Sequence, residues 1–312
     1  MRVLVTGGAG FIGSHVADAL LAAGHEVAVL DDLSTGRREN VPKAARFFEA
    51  DVRDAAHVGE AFAAFKPECV AHQAAQTSVS VSTREPVRDA AINVVGGLVV
   101  LDASVKHGVG RFVFASTGGA IYGEVPDGTR AAVDTPPRPL SPYACAKYAF
   151  EAYLGAYAHE HGLRSIVLRY ANVYGPRQDP YGEAGVVAIF TERLMARQPI
   201  QINARRAVGD DGCVRDYVYV GDVVRANVAA ISGTAPAAVF NVCTGEATTT
   251  MQLARTLESE LGVRAEIGSG PRRAGDIERS VLEPGVAVAL GPATSLDAGL
   301  RETIAWFRAR SS

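Results

Sequence analysis

The sequence predicts an α/β fold: a doubly wound parallel β-sheet with helices on both faces, followed by a smaller C-terminal α/β domain. Short apolar, β-branched runs alternate with helical patterns over residues 1–174, which is typical of a parallel sheet. This alternation breaks after Tyr174, at a series of prolines and glycines. Because 312 residues exceed one small domain, we expect two domains, 1–174 and 175–312, with some C-terminal segments returning to the first.

The N-terminal half contains six predicted strands and four predicted helices. Gly24 and Gly162 are placed to end helices, and Asp54 is placed to cap one. The predicted strands are residues 2–6, 26–30, 46–50, 68–72, 111–115 and 165–169. The predicted helices are residues 11–23, 55–65, 87–106 and 142–161. Two later strands, 239–242 and 264–267, are expected with a helix between them.

Composition and charge exclude several classes of function. The net charge of -3 gives no attraction to nucleic acid or to anionic membranes, so neither is an expected partner. The four cysteines are scattered without zinc-ligand or CxxC spacing, which predicts free thiols and no metal site. No signal-peptide core or membrane-length apolar stretch is present, and we expect a cytoplasmic protein.

A glycine motif lies between the first strand and the first helix. Gly7 permits a tight turn, Gly10 lets a pyrophosphate approach the backbone, and Gly13 lets helix and strand pack closely. The free N–H groups and the positive dipole end of the helix favour phosphate. Because strand, glycine turn, helix and second strand follow in the right order, the motif predicts a Rossmann dinucleotide site.

The end of the second strand indicates which dinucleotide binds. Asp31 and Asp32 can accept the ribose hydroxyls and would repel the 2′-phosphate of NADP, so we predict NAD. Arg37 and Arg38 lie nearby and leave NADP as the alternative. Asp51 is placed to hold the adenine, although it is equally placed to cap a helix. Further expected cofactor contacts are Phe11, Ile12, Ser34, Thr35, Gly36 and Val52.

Tyr143 and Lys147 are four residues apart at the start of a predicted helix, so they share one face. Removing a hydride from an alcohol requires a base for the hydroxyl proton. A free phenol, with a pKa near 10, is a poor base at neutral pH. The Lys147 ammonium and the positive nicotinamide would lower the pKa of Tyr143.

Two hydroxyls, Ser116 and Thr117, follow the fifth strand. The carboxyl edge of a parallel sheet faces the ligand crevice, so either hydroxyl could bind a substrate hydroxyl and assist proton transfer. The pattern leaves open which one does so. It also leaves open a purely local role in the turn at Gly118 and Gly119.

Together these motifs resemble the extended short-chain dehydrogenase/reductase family and, within it, the UDP-glucose 4-epimerase group. The resemblance covers nearly the whole chain. The motifs that carry it are Gly7-x-x-Gly10-x-x-Gly13, His72-Gln73-Ala74-Ala75-Gln76, Ser116-Thr117, Tyr122-Gly123, Tyr143-x-x-x-Lys147, Arg169-Tyr170-Ala171-Asn172-Val173-Tyr174-Gly175-Pro176-Arg177, Val214-Arg215-Asp216-Tyr217-Val218-Tyr219-Val220 with Asp222, and Arg273-Ala274-Gly275-Asp276.

The resemblance implies roles for these residues. Tyr143 would be the base, Lys147 would activate it and hold the nicotinamide ribose, and Thr117 or Ser116 would share the proton. The residues implied to line the cofactor are Gln73, Ala74, Ala75 and Asn93. Three residues are implied to bind the diphosphate of a UDP-sugar: Asn172, Arg215 and Arg273. Asp276 is implied to bind the uridine ribose, and Val186 to lie near the uracil. A homodimer formed through helices 87–106 and 142–161 is also implied.

Four other possibilities differ in substrate or in class. Ser280 stands where strict glucose/galactose epimerases of the family tend to carry a bulky tyrosine, so N-acetylated UDP-hexoses are also expected to fit. A UDP-glucuronate or other nucleotide-sugar 4-epimerase remains open. A non-catalytic NAD-sensing regulator is disfavoured because Tyr143 and Lys147 are both present. A 4,6-dehydratase is disfavoured because Gly118 and Gly119 replace its acid pair.

Overall fold

The computed structural model describes residues 1–181, 185–273 and 275–311. Its strands are β1 Arg2–Thr6, β2 Glu26–Asp31, β3 Arg46–Glu49, β4 Cys69–His72, β5 Arg111–Thr117, β6 Arg164–Tyr170, β7 Asn172–Tyr174, β8 Ile200–Asn203, β9 Val214–Arg215, β10 Tyr217–Tyr219, β11 Val239–Val242, β12 Thr248–Thr249, β13 Ile267–Gly270 and β14 Arg279–Ser280. Its α-helices are α1 Phe11–Ala22, α2 Ala55–Phe65, α3 Val79–Arg84, α4 Pro86–Ala90, α5 Gly97–Lys106, α6 Gly118–Ile121, α7 Pro142–His161, α8 Val186–Met195, α9 Val220–Ser232, α10 Thr250–Leu261 and α11 Leu296–Ser311. A π-helical segment, Ala91–Gly96, joins α4 to α5.

Seven parallel strands form the main sheet, in the order β11-β6-β5-β4-β1-β2-β3. Strand order reverses at β1, which lies between β2 and β4. In open α/β sheets the ligand crevice forms outside the carboxyl ends of the strands at such a switch point. The glycine turn after β1 therefore lies beside the chain that leaves β4.

The core consists of two apolar layers that flank this sheet and a third cluster in the C-terminal part. Along β1, Val3 and Val5 belong to one layer and Leu4 to the other, as the twofold alternation of a strand requires. The third cluster joins helices α8, α10 and α11 with β8 and β10. These layers confirm the predicted α/β fold class.

Several predicted elements need correction. The strand expected at 264–267 lies at Ile267–Gly270 and pairs with β8. The single helix expected at 87–106 is interrupted by the π-helical segment. The strand Val239–Val242 lies at the edge of the main sheet, beside β6. The region after Tyr174 also contains α8, which the proline and glycine pattern concealed.

Local sequence explains where the helices begin and end. The Asp54 carboxylate accepts hydrogen bonds from the N–H groups of Ala56 and His57 and caps α2. The alternative role of Asp51 as a helix cap is therefore wrong. Gly162 ends α7 with φ +67°, a conformation that favours glycine. Within the described chain, no helix combines the length and apolar character needed to span a bilayer.

Candidate active site

The glycine turn after β1 leaves no room for side chains. Gly7 has φ +68°, and a Cβ atom on it would lie 2.6 Å from the Ala74 nitrogen. A Cβ atom on Gly13 would lie 2.1 Å from the Gly7 oxygen. Helix α1 begins directly after Gly10, with Phe11 and Ile12 in its first turn. The turn thus presents bare backbone and a helix N-terminus to the crevice, which fits a pyrophosphate.

Asp31 ends β2 beside this turn with its carboxylate buried. Its oxygens accept hydrogen bonds from the N–H groups of Ala9 and Leu33, each at 2.9 Å. Burial raises the pKa of Asp31, and these two main-chain bonds oppose the rise. A carboxylate has about four acceptor positions, so Asp31 can hold the turn and still accept ribose hydroxyls.

The loop after β2 forms the outer wall of the predicted adenosine site. Asp32 is exposed and accepts bonds from the Ser34 N–H at 3.0 Å and from its hydroxyl at 2.6 Å. Thr35 is exposed, and a Cβ atom on Gly36 would lie 2.8 Å from a carboxylate oxygen of Asp31. The loop therefore packs closely against Asp31, at the position expected for the ribose.

Asp51 and Val52 follow β3 on the adenine side. The Asp51 carboxylate accepts a bond from the Arg53 main chain at 2.8 Å and pairs with the Arg53 guanidinium, which lowers the pKa of Asp51. Val52 is buried, and a Cβ atom on Gly96 would lie 2.7 Å from its side chain. Val52 therefore packs closely against the π-helical segment, at the wall of the crevice.

The chain from Gln73 to Gln76 leaves β4 opposite the glycine turn. The Gln73 and Ala74 nitrogens bond to the main-chain oxygen and hydroxyl of Thr6, at 3.1 and 3.3 Å. Asn93 bonds to both main-chain groups of Gln76, each at 2.9 Å. Ala75, between these anchors, is partly exposed. Asn93 thus holds the main chain of the segment that is predicted to line the cofactor, a role that the residue pattern alone did not reveal.

Tyr143 and Thr117 meet at the carboxyl edge of β5. Ser141 caps α7 by accepting the Ala144 N–H at 3.2 Å, which sets Tyr143 in the first helical turn. The Thr117 side chain lies close enough to the Tyr143 phenol to lower its pKa. Burial raises the pKa of Tyr143 above its usual value, and Thr117 opposes this rise. The two side chains are therefore neighbours before any ligand binds.

Lys147 lies one turn further along α7 and is 3% exposed. Its Nζ donates to the Ala115 carbonyl at 2.9 Å and lies 4.8 Å from the centre of the Phe114 ring. Burial lowers the pKa of Lys147 to about 8, although nearby carboxylates oppose this. Lys147 therefore loses its proton more readily than an exposed lysine does.

Ser116 points away from Tyr143, toward a buried ion pair. Its hydroxyl donates to the Glu151 carboxylate at 2.5 Å, and Glu151 pairs with Arg169 at 2.6 Å. Strand β5 extends to Thr117, two residues beyond its predicted end, so Ser116 and Thr117 point to opposite faces. Of the two candidate hydroxyls, only Thr117 contacts Tyr143.

On the substrate side, Asn172 starts β7 with its Nδ2 buried and without a hydrogen-bond partner among the described residues. A Cβ atom on Gly119 would lie 3.6 Å from this nitrogen, which places Asn172 close to the turn after Thr117. An unsatisfied buried donor is costly, so a bound acceptor would relieve it. Asn172 can therefore bind an oxygen-rich ligand.

The other predicted substrate residues lie on three C-terminal segments. Ser280 is 2% exposed and faces Arg215 in the parallel pair β14–β9. Arg273 is exposed, and the Asn203 amide oxygen, when turned toward it, accepts bonds from its Nε and Nη2 at 2.6 and 3.2 Å. The Asp276 N–H bonds to the Arg273 carbonyl at 3.4 Å. Ala274, part of the same motif, lies outside the described residues.

Val186 is the first residue of α8 and is partly buried. It packs against the third core cluster, apart from the main sheet. A search of the described residues for three or more His, Cys, Asp or Glu side chains arranged to hold a metal ion finds none.

Comparison with known proteins agrees with this geometry. The family model of the NAD dependent epimerase/dehydratase family matches residues 3–243. A UDP-glucose 4-epimerase of Mycolicibacterium smegmatis is 44% identical, with 100% of each chain covered. A crystal structure of a Thermus thermophilus UDP-glucose 4-epimerase in complex with NAD is 54% identical, with a TM-score of 0.95 and 99% of each chain covered. A Thermotoga maritima UDP-glucose 4-epimerase with UDP-glucose is 48% identical, with a TM-score of 0.93 and 100% of each chain covered.

These findings confirm the resemblance read from the motifs, the predicted Rossmann-type fold and the predicted dependence on NAD. The chain belongs to the NAD-dependent epimerase/dehydratase family.

Proposed function

We propose that this protein is a UDP-glucose 4-epimerase that interconverts UDP-glucose and UDP-galactose through a 4-keto sugar. The observation that carries this proposal is the contact between the Tyr143 phenol and Thr117, with the Lys147 ammonium one helical turn away. All three lie at the sheet edge that also carries the glycine turn. Full-length relatives with this activity in their names support the same substrate class.

Tyr143 is the proposed base. Held at the glycine turn and Asp31, NAD would supply a hydride acceptor for C4 of the sugar and a hydride donor for either face of the resulting ketone. Tyr143 takes the proton of the 4-hydroxyl and gives it back when the ketone is reduced, so no net oxidation occurs. Thr117 donates to the phenolate, and Lys147 stabilises it with positive charge. Ser116 has no direct part in this scheme, because its hydroxyl is bonded to Glu151.

The UDP half of the substrate is the proposed anchor. The unsatisfied Nδ2 of Asn172 supports a contact to the diphosphate. Arg215 and Arg273 offer forked guanidinium donors for the same group. Asp276 is proposed to accept the uridine ribose hydroxyls, and Val186 to lie against the uracil. If the sugar is held mainly through this distant half, the 4-keto ring is free to turn.

Sugar specificity is proposed to depend on Ser280. Its small buried side chain supports room for an N-acetyl group, so UDP-N-acetylglucosamine is a proposed second substrate. The Ser280→Tyr variant should lose activity toward UDP-N-acetylglucosamine and keep activity toward UDP-galactose. Equal loss of both activities would contradict this role. UDP-glucuronate is the alternative substrate, since none of the named residues opposes a C6 carboxylate.

We also propose a cytoplasmic homodimer built from α7 and from the helices between Pro86 and Lys106. Four large apolar side chains on these helices are exposed, which supports an interface there. They are Val87, Val95, Tyr148 and Tyr153. Sedimentation velocity would test the dimer, and a monomer at micromolar concentration would refute it.

Residues 1–174 are proposed as the NAD domain and 175–312 mainly as the substrate domain.

Turnover without added cofactor tests the activity itself. The purified protein is incubated with UDP-galactose, and conversion to UDP-glucose is expected, because no net redox change occurs and NAD stays bound. Turnover of UDP-glucuronate alone would indicate the alternative epimerase. Absence of turnover with every sugar nucleotide, in protein that contains NAD, would refute the proposal and favour a regulator.

A further inference from the structure

Two charged side chains near the proposed base, Lys147 and Asp89, are withdrawn from solvent. Asp89 is 0% exposed and Lys147 is 3% exposed. Neither side chain forms a salt bridge within 4.0 Å among the described residues, and Arg88, next to Asp89 in the chain, pairs with Glu85 instead. Burying a single unpaired charge in a protein is strongly unfavourable. Each of these charges therefore needs compensation from nearby.

Asp89 receives hydrogen bonds only from neutral groups in the described part of the chain. Its Oδ1 accepts from Gln76 Nε2 at 2.7 Å and from Asn93 Nδ2 at 2.9 Å. Its Oδ2 is buried, and the described residues offer it no hydrogen-bond partner. Amide donors orient the carboxylate but leave its negative charge in place.

The Lys147 ammonium also contacts neutral groups, the Ala115 carbonyl and the Phe114 ring. Glu151 lies one turn further along α7, but the Arg169 guanidinium, 2.6 Å away, balances its charge. Helix α4, which carries Asp89, packs against α7. Asp89 is thus the nearby carboxylate that no arginine neutralises.

We propose that Asp89 is the buried counterion of Lys147, a positioning residue that keeps the lysine protonated beneath Tyr143. The titratable groups that interact electrostatically with Lys147 are Asp89 on α4, Glu151 on α7 and His72 on β4. Asp89 also acts on Tyr143, whose pKa it raises.

The electrostatics of these groups agree with this pairing. Burial raises the pKa of Asp89, and the Gln76 amide and Lys147 oppose that rise. Burial lowers the pKa of Lys147, and Asp89 is the stronger of the two carboxylates that oppose that fall. Burial, with a smaller effect of Lys147, lowers the pKa of His72 to about 3, so His72 is neutral near pH 7. Asp89 therefore helps to keep the pKa of Lys147 from falling below about 8. The consequence for Tyr143 as a base rests on the proposed function, whereas the pairing itself does not.

Lysine NMR can measure the pairing directly, because the chain contains only four lysines: Lys43, Lys66, Lys106 and Lys147. The first three are exposed and Lys147 is buried. Protein labelled with 13C at lysine Cε, prepared with NAD bound, should give four signals. Titration from pH 6 to 11 then yields the pKa of each lysine, and turnover is not required for the readout.

Asp89→Asn removes the charge and keeps an Oδ1 acceptor for Gln76 and Asn93. The Lys147 midpoint should fall by about one pH unit or more in this variant, while the other three midpoints stay unchanged. The decline of kcat with rising pH should then begin at lower pH. A Lys147 midpoint that stays within a few tenths of a unit would overturn the proposal, whatever the enzyme's substrate proves to be.

Asp102→Asn is the matched control, since Asp102 pairs with Lys106 at 2.7 Å on the exposed face of α5. This variant loses the same charge, and Lys106 should be the lysine whose signal responds. If Asp89→Asn does not fold, the double variant Asp89→Asn/Lys147→Met tests whether the two residues form a charge pair. Recovery of a folded protein would support a charge pair, and failure of the double variant to fold would overturn it.

Discussion

Replacing Thr117 by valine is expected to slow the chemical step without destabilising the protein. Valine has nearly the shape of threonine, so the change removes the hydroxyl that lies beside Tyr143 and little else. A hydrogen bond to a charged group contributes about 1.5–3 kcal/mol. If that bond is made to the phenolate in the transition state, kcat should fall about 10- to 150-fold.

Ser116→Ala is the matched control, because it deletes the neighbouring hydroxyl on the opposite face of β5. Its bond to Glu151 is lost, at a cost of about 1–2 kcal/mol in the free energy of unfolding. Glu151 keeps its bonds to Arg169, at 2.6 to 3.3 Å. Tm should therefore drop by several degrees, while kcat stays within about a factor of three.

The assay measures kcat with UDP-galactose, NAD content after denaturation, and Tm for both variants. The expected result is a crossed pattern, in which Thr117→Val affects kcat and Ser116→Ala affects Tm. A loss of kcat in Ser116→Ala that equals or exceeds that in Thr117→Val would refute the assignment of Thr117. NAD content equal to that of the parent protein would show that the cofactor site is intact.

Two further predictions concern the cofactor turn and the buried ion pair. Gly13→Ala should yield protein without bound NAD, because the new Cβ atom would lie 2.1 Å from the Gly7 oxygen and displace the turn. Gly59→Ala is the control, since there is open space around Gly59, and it should keep NAD. The absorbance of the cofactor released on denaturation measures both. Glu151→Gln should lower the free energy of unfolding by about 3–5 kcal/mol, because Arg169 stays buried without its anion. Asp51→Asn, in the more exposed pair with Arg53, should lower it by about 1 kcal/mol or less. Thermal unfolding measures both losses. Similar losses in both acid variants would contradict the second prediction.

Sequence reasoning succeeded where local patterns determine the structure. The apolar runs located the first six strands to within one or two residues, and the glycine motif located the turn after β1. These features depend on residues that are close in the chain. The Tyr143–Lys147 spacing was informative for the same reason, since four residues on a helix define one face.

The remaining features depend on contacts between distant segments. The pairing of Val239–Val242 with β6 joins residues about 70 positions apart, and the local pattern could not show it. The choice between Ser116 and Thr117 depended on how far β5 extends, because alternation reverses with each residue. Asp89 resembles an ordinary surface acid in the sequence, and only the packing of α4 against α7 buries it.

The proposed reaction requires a hydride that leaves one sugar carbon and returns to the same carbon within one site. The direct measurement uses NAD-loaded protein, no added cofactor, and UDP-galactose that carries deuterium at C4 of the sugar. We predict that NMR of the UDP-glucose formed will show deuterium retained at C4. Product with hydrogen from solvent at that carbon would contradict the account, because it would show that C4 exchanges as a proton.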